Sequence, residues 1–345
     1  MKYRLYTTTQ KAWDGMFKGI ASAQKSIYIE MYIFLDDTQT THNFLGLLKE
    51  KAKAGVEVVI IADAIGSFYL KGSAVNELRA AGIEFIYFSH WLRRTHRKIV
   101  IIDNKLAFIG GVNIKEQLRH WRDLQVRIDG RVVVPLLQSF AYVYEDLGGK
   151  KESILKYSRM PLIKKIKSWI TDTIIGKSRP YSLNNYFKEK IGAAKTSVKI
   201  VTPYLLPPRR LIAMLDAACL RGVNVEILIP NDTDVKALNK VNYLNACRMA
   251  GFGVKFYLMP MMNHAKIMLI DGDEGLIGSQ NMDVLSFNMN MEAGVFFKQK
   301  QAVKDLDNLF EHWKKEAIYF NAAEKKITWY DKILLSIMKL FFPIL

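Results

Sequence analysis

Two histidines in this chain stand two residues before a lysine, as His96-Arg97-Lys98 and His264-Ala265-Lys266. An aspartate closes each pattern, Asp103 and Asp271, so both stretches read H-x-K-x-x-x-x-D. The likeness continues downstream. Gly110 and Gly278 follow their histidines by 14 residues, Asn113 and Asn281 by 17, and an acid, Asp123 or Glu292, by 27 or 28. A lone His-x-Lys is an ordinary surface feature, but two copies sharing four aligned features are not an accident. Two imidazoles in one site can divide a substitution at phosphorus between them: one ring attacks while the other protonates the leaving oxygen.

Both motifs read as the first strand of a β-hairpin. His96 to Ile102 is apolar and β-branched, Asp103-Asn104-Lys105 is turn-like, and Leu106 to Ile109 returns to Gly110-Gly111. Ile267 to Ile270, Asp271-Gly272-Asp273 and Leu276 to Gly278 repeat this. Residues two apart on a strand share a face, so each histidine projects with its lysine. Asp103, seven residues beyond His96, lies roughly 23 Å along the strand and cannot hold that ring. Asp103 and Asp271 are therefore expected to form the turns, accepting local backbone N–H groups. Asp123 and Glu292 are the candidates for orienting the histidines.

The elements around the motifs also repeat, at a spacing of 168 residues. In the first half, helical patterns over Trp13–Ala23, Asn43–Ala54 and Ala74–Ala81 alternate with apolar runs at Ser26–Leu35, Val56–Ala62 and Ile83–Phe88. In the second half, helical Tyr186–Ala194, Leu211–Leu220 and Leu238–Ala250 alternate with Val198–Thr202, Val223–Ile229 and Val254–Leu258. Gly55, Gly82, Gly222 and Gly251 stand at the helix-to-strand handovers. The expected fold is α/β, with two similar lobes at residues 1–149 and 181–318. A linker at 150–180 and a tail at 319–345 complete the expected organisation.

With Gly110-Gly111-Val112-Asn113 after the first motif and Gly278-Ser279-Gln280-Asn281 after the second, the chain resembles the phospholipase D superfamily and its HKD signature. The resemblance extends from about Trp13 to Trp313. Glu30-Met31-Tyr32, Thr202-Pro203-Tyr204 with Pro207, Arg221 to Pro230 and Gly278 to Glu292 are similar to the bacterial cardiolipin synthase branch. Leu285 departs from it, standing where that branch usually has arginine before Ser286-Phe287.

The resemblance implies two α/β/α sandwich lobes packed as a pseudo-dimer, with the active site at their interface. It implies His96 as nucleophile, forming a phosphohistidine, and His264 as acid and base, although the near-symmetric sequence permits the reverse. Lys98, Lys266, Asn113 and Asn281 would hold the non-bridging oxygens, and Asp123 and Glu292 would fix the tautomers. No cofactor and no metal are expected, the lysines supplying the positive charge. The implied reaction joins two phosphatidylglycerol molecules into cardiolipin and glycerol. The alternative within the superfamily is a phosphodiesterase hydrolysing phospholipid or nucleic acid, although the family's nucleases commonly carry one motif per chain. A silent membrane-binding module is disfavoured by two intact motifs.

The formal net charge of +17 over 345 residues calls for an anionic partner. An anionic phospholipid and a membrane surface are expected, rather than nucleic acid. No signal-peptide core and no apolar run of spanning length occur, so attachment to the cytoplasmic face should be peripheral. Two segments suit it. Between Lys150 and Arg179 nine basic residues stand against two acids, and Leu162, Ile163, Ile166, Trp169, Ile170 and Ile174 recur with helical spacing. From Ile327 to Leu345 a narrow polar stripe leaves a wide apolar arc. Arg93 and Arg94 could meet an acidic headgroup, and Met259, Met261 and Met262 could line an acyl entry. Cys219 and Cys247 read as free, buried thiols.

Overall fold

A computed structural model describes residues 2–161, 168–172 and 182–322, with 328–330 and 333. The chain opens with strand β1 (Lys2–Thr8) and helix α1 (Thr9–Ser22), followed by β2 (Ser26–Met31), α2 (Phe44–Lys53), β3 (Glu57–Asp63) and α3 (Gly72–Ala80). Strands β4 (Glu84–Phe88), β5 (Lys98–Ile102), β6 (Leu106–Gly110) and β7 (Arg122–Asp129) precede helices α4 (Val133–Asp146) and α5 (Glu152–Ser158).

The second half starts with β8 (Ser168–Asp172), α6 (Leu183–Ala193), β9 (Ser197–Val201), β10 (Leu205–Leu206) and α7 (Arg209–Leu220). It continues through β11 (Asn224–Pro230), α8 (Lys236–Ala250), β12 (Lys255–Met259), β13 (Ile267–Ile270) and β14 (Glu274–Gly278). It ends with β15 (Met282–Asp283), α9 (Val284–Asn288), β16 (Ala293–Phe297), α10 (Lys300–Glu316) and β17 (Ile318–Tyr319).

The two main sheets have one plan. The first runs β1-β7-β6-β5-β2-β3-β4, and the second, read in the same sense, β8-β16-β14-β13-β9-β11-β12, with β17 added at its far edge. Within each, the three neighbouring α/β strands are parallel and the motif hairpin is antiparallel. The apolar runs of the motif strands, Ile99–Ile102 and Ile267–Ile270, follow from burial on both faces. Ile99 and Ile101 face a core shared by the lobes, together with Ile267, Leu269, Phe140 of α4 and Phe310 of α10. Val100 and Ile102 face the first lobe's outer core with Trp13 and Met16, while Met268 and Ile270 face the second lobe's with Leu215 and Phe256. Two similar α/β lobes thus pack sheet toward sheet, as expected.

Local signals set the element ends. Thr8, Asn43 and Ser182 cap α1, α2 and α6 with side-chain oxygens that accept from N–H groups three residues on. Gly55, Gly82 and Gly222 take φ of 85°, 85° and 83° at their handovers. The fourth handover differs: Gly251 stays right-handed and Gly253 makes the turn, at φ 105°.

Several expectations are corrected. Trp169 and Ile170, read as part of a helical stripe, lie in β8, which pairs antiparallel with β16 as β1 pairs with β7. An open sheet edge gives their backbone partners that an isolated helix would not. The rest of that stripe lies outside the described residues. Residues 150–158 belong with the first lobe, since Ile154 enters the shared core and the Ser153 hydroxyl donates to Glu57. The second lobe runs past residue 318, because β17 pairs with β12 and Phe320 is buried. Of the tail, Trp329, Tyr330 and Ile333 are exposed and the remainder lies outside the described residues. Cys247 is buried and Cys219 only half so, and neither is in a disulfide. Among the described residues no helix is long and apolar enough to cross a membrane.

Candidate active site

The site lies where the parallel strands end. Met31 closes β2 opposite Lys98, the first residue of β5, so the motif histidine sits beyond the carboxyl edge of the sheet. This is where open α/β sheets place ligands. The far end of each motif strand is pinned. Asp103 and Asp271 adopt φ of 50° and 54° in the hairpin turns. Their carboxylates accept from Gln24, Lys25 and Ser26 and from Lys195, Thr196 and Ser197, respectively. The expectation of local acceptance is therefore corrected. These aspartates tie the hairpin to the start of the neighbouring strand, more than 70 residues away in sequence.

His96 and His264 precede their strands, and each is held by the opposite lobe. The His96 N–H donates to Met291 O at 2.9 Å, and Nδ1 lies 3.0 and 3.1 Å from the Glu292 oxygens. The His264 N–H donates to Arg122 O at 2.8 Å, and Nδ1 lies 2.9 Å from Asp123 Oδ2. Each acid orients the histidine of the other motif. With Nδ1–H donated to a carboxylate, Nε2 keeps its lone pair.

Both rings open onto one cavity of about 480 Å³, lined also by Asn113, Asn281, Tyr32, Tyr204, Trp121 and Leu285. Asn113 Oδ1 accepts from the Ile33 N–H at 3.2 Å, which leaves its NH₂ to donate. Lys98 and Lys266 are buried beside the histidines rather than in the cavity wall. Each ammonium donates to the carbonyl of its own histidine, and Lys98 Nζ also sits 4.9 Å from the Tyr32 ring centre.

Electrostatics follow from burial. Desolvation pushes His96 down to about 4, with Lys98 and Lys266 adding to it against the pull of Glu292. His264 is also lowered, by burial first and Lys266 second. Burial takes Lys98 well below its ordinary value and Lys266 to about 8. Asp123 and Glu292 stay below the usual carboxylate range although burial pulls the other way, because His264 faces the first and His96 the second. At neutral pH the resting site holds neutral imidazoles against ionised carboxylates. Among the described residues, no group of three or more His, Cys, Asp or Glu is placed to hold a metal ion.

Glu30, Arg97, Ser279 and Ser286 stand in or beside the motif segments, but the motifs gave them no role. Ser279 and Ser286 donate to the two oxygens of Glu292, at 2.5 and 2.7 Å. Behind His96, Glu30 is fully buried, accepting from the Thr95 hydroxyl at 2.5 Å and pairing with Arg97 at 3.1 Å. Arg97 reaches the Ser139 hydroxyl at 2.6 Å, which in turn bonds Asp172 of β8. A charge inside an apolar strand, as in Ile29-Glu30-Met31, was the available signal. The other histidines lie elsewhere: His42 pairs with Asp14, and His312 with Glu316. Met259 is in the core and Met261 is exposed.

Residues 16–143 and 187–314 each match the family described as "Cardiolipin synthase, PLD-like domain". A Bacillus subtilis strain 168 protein named "Probable cardiolipin synthase YwiE" is 30% identical over 320 residues, covering 88% of this chain and 64% of that protein. A Clostridium perfringens strain 13 "Cardiolipin synthase" is 32% identical over 331 residues, covering 89% and 69%. The chain thus spans about two thirds of these relatives. In fold, it matches the crystal structure of Haemophilus influenzae Rd KW20 phosphatidylserine synthase, with TM-score 0.74, 13% identity and coverage of 99% and 93%. The chain belongs to the cardiolipin synthase family of phospholipase D-like proteins, with one such domain in each half.

Proposed function

We propose that this chain is a cardiolipin synthase-type phosphatidyltransferase that uses phosphatidylglycerol as both donor and acceptor. The observation that carries the reading is the single cavity flanked by two histidines, each buttressed by a carboxylate from the other lobe. His96 Nε2 attacks the donor phosphorus, the bond to the glycerol oxygen breaks, and His264 delivers its Nε2 proton to that oxygen. Glycerol leaves. His264 then takes the proton of a glycerol hydroxyl on a second phosphatidylglycerol. The resulting oxygen attacks phosphorus, breaking the P–N bond and releasing cardiolipin.

The low proton affinity of His96 suits the nucleophile, since its lone pair stays free at neutral pH. A bound phosphodiester anion raises the proton affinity of His264, so the acid forms when substrate arrives. Lys98, Lys266 and the two asparagines supply positive potential and donors for the charge that develops on phosphorus oxygens. Peripheral attachment at the cytoplasmic face, aided by the basic residues between Lys150 and Arg179, completes the reading.

Purified protein given phosphatidylglycerol vesicles should yield cardiolipin and glycerol in equal amounts. His96→Ala should lose all product. His264→Ala should retain a lipid-labelled, acid-labile protein adduct and turn over about 10²–10⁴-fold more slowly. Phosphatidic acid as the sole product would make the chain a hydrolase instead.

A further inference from the structure

The β3–α3 and β4–β5 loops carry large apolar side chains into solvent. Phe68 is 72% exposed, Tyr69 76% and Trp91 88%, with Ile65 and Leu92 beside them at 57% and 45%. Isolated exposed apolar residues are common, but five on two adjoining loops are a patch. Ile65, Trp91 and Leu92 share one surface hollow with Arg93 and Arg94, and the Phe68 and Tyr69 rings stack edge-on at 5.5 Å.

These loops are held firmly. The buried Asp63 carboxylate accepts from the Ile65, Gly66 and Thr95 N–H groups at 3.0, 2.9 and 2.8 Å, joining both loops to the residue before His96. Ser67 donates to Tyr32 O at 3.0 Å, and Tyr32 meets the His96 ring at 4.8 Å. A Cβ at Gly66 would fall 2.3 Å from Tyr32 O, so the loop lies directly against the cavity wall. The matching positions of the other lobe, Val235 after β11 and Met261 after β12, are exposed at the same sheet edge, and Val235 lines the cavity itself.

We propose that this face is the membrane-docking surface: Ile65, Phe68, Tyr69, Trp91 and Leu92 enter the headgroup–acyl boundary of an anionic bilayer. Three observations select that occupant. The patch adjoins the cavity, since Gly66 and Ser67 of the loop that carries Phe68 and Tyr69 pack on Tyr32 of the cavity wall, which sets a docked leaflet beside the catalytic cavity. Arg93 and Arg94 share its hollow on a chain of net charge +17, which complements anionic headgroups. Aromatic rings with a polar edge, as in Trp91 and Tyr69, favour that boundary. The proposal deepens the functional reading above and rests on it for the lipid.

The test uses the full chain with vesicles of phosphatidylglycerol, phosphatidylcholine or phosphatidylglycerol with brominated acyl chains. Phe68→Ala/Trp91→Ala should bind phosphatidylglycerol vesicles at least about tenfold more weakly, while turning over monomeric short-chain phosphatidylglycerol as the unaltered protein does. Brominated lipid should quench emission in the unaltered protein, and Trp91→Phe should lose that increment. Unchanged vesicle binding or an unquenched Trp91 would overturn the proposal. So would a Trp91 already shielded from acrylamide without lipid, which would mean that the tail or a second copy covers the patch. Docking through Trp91 without any lipid conversion would sink the functional reading and leave the docking surface standing.

Discussion

The surroundings of His96 and of His264 have the same backbone plan and different polar chemistry. Behind His96, Glu30 pairs with Arg97 and extends through Ser139 to Asp172. The matching positions of the second lobe are Val201, which faces Ile267 as Glu30 faces Ile99, and Ala265 in place of Arg97. The orienting acids differ too. Glu292 is long and receives two serine hydroxyls, whereas Asp123 is short and receives the Leu124 N–H at 2.7 Å. Gly111 stands where the second half has Ser279, and a Cβ there would meet Asp123 Oδ1 at 2.2 Å. Duplication supplied two histidines; divergence gave one of them a braced, ionic back wall. The ring proposed to carry the covalent bond is the braced one.

The largest effect should come from that wall. Arg97→Ala leaves Glu30 buried and unpaired, and should cost about 3–5 kcal/mol by urea unfolding. Glu30→Val/Arg97→Ala, which copies the second lobe, should recover much of this. A double variant as unstable as the single one would show that the pair is not a unit.

Ser279→Ala removes one charge-assisted hydrogen bond and should lower kcat about tenfold or somewhat more, with KM little changed. Gly111→Ser should not mirror it, because the added side chain collides with Asp123. Equal and opposite outcomes would mean that the halves are interchangeable.

The smallest effects are in pH. Lys266 at about 8 should give kcat/KM an alkaline limb, a fall of about tenfold by pH 9 that Lys266→Arg moves upward. Stability should respond on the acid side. The unfolded chain protonates His96 below 6.5 and the folded chain only near 4, so stability falls as pH drops through that window. His96→Gln should flatten that slope. A slope unchanged by the substitution would place the titration elsewhere.

Much of the fold was legible because its signals are local. Glycine handovers and helical patterns alternating with apolar runs placed most strands and helices of the α/β repeat within a few residues. Helices α4 and α10 were not among those read; in α4 the run from Val133 to Tyr144 is buried nearly all round, and a buried apolar run is not told from strand by periodicity alone. The stripe through Trp169 misled because the vacant edge of β16, not the side-chain pattern, decides how those residues pair.

The amino-acid sequence alone determined that the chain has two copies of one motif, which residue types furnish the site, and that Asp103 and Asp271 lie too far along their strands to touch the imidazoles. Tertiary structure decided everything that depends on reach across the lobes. It gave Glu292 to His96 and Asp123 to His264, and set both lysines beside the rings rather than in the cavity wall. It also aimed the turn aspartates at distant backbone N–H groups. The reason is physical: a motif constrains neighbours a few ångströms apart along the chain, whereas partners separated by 196 and 141 residues meet only when two sheets bury a common core.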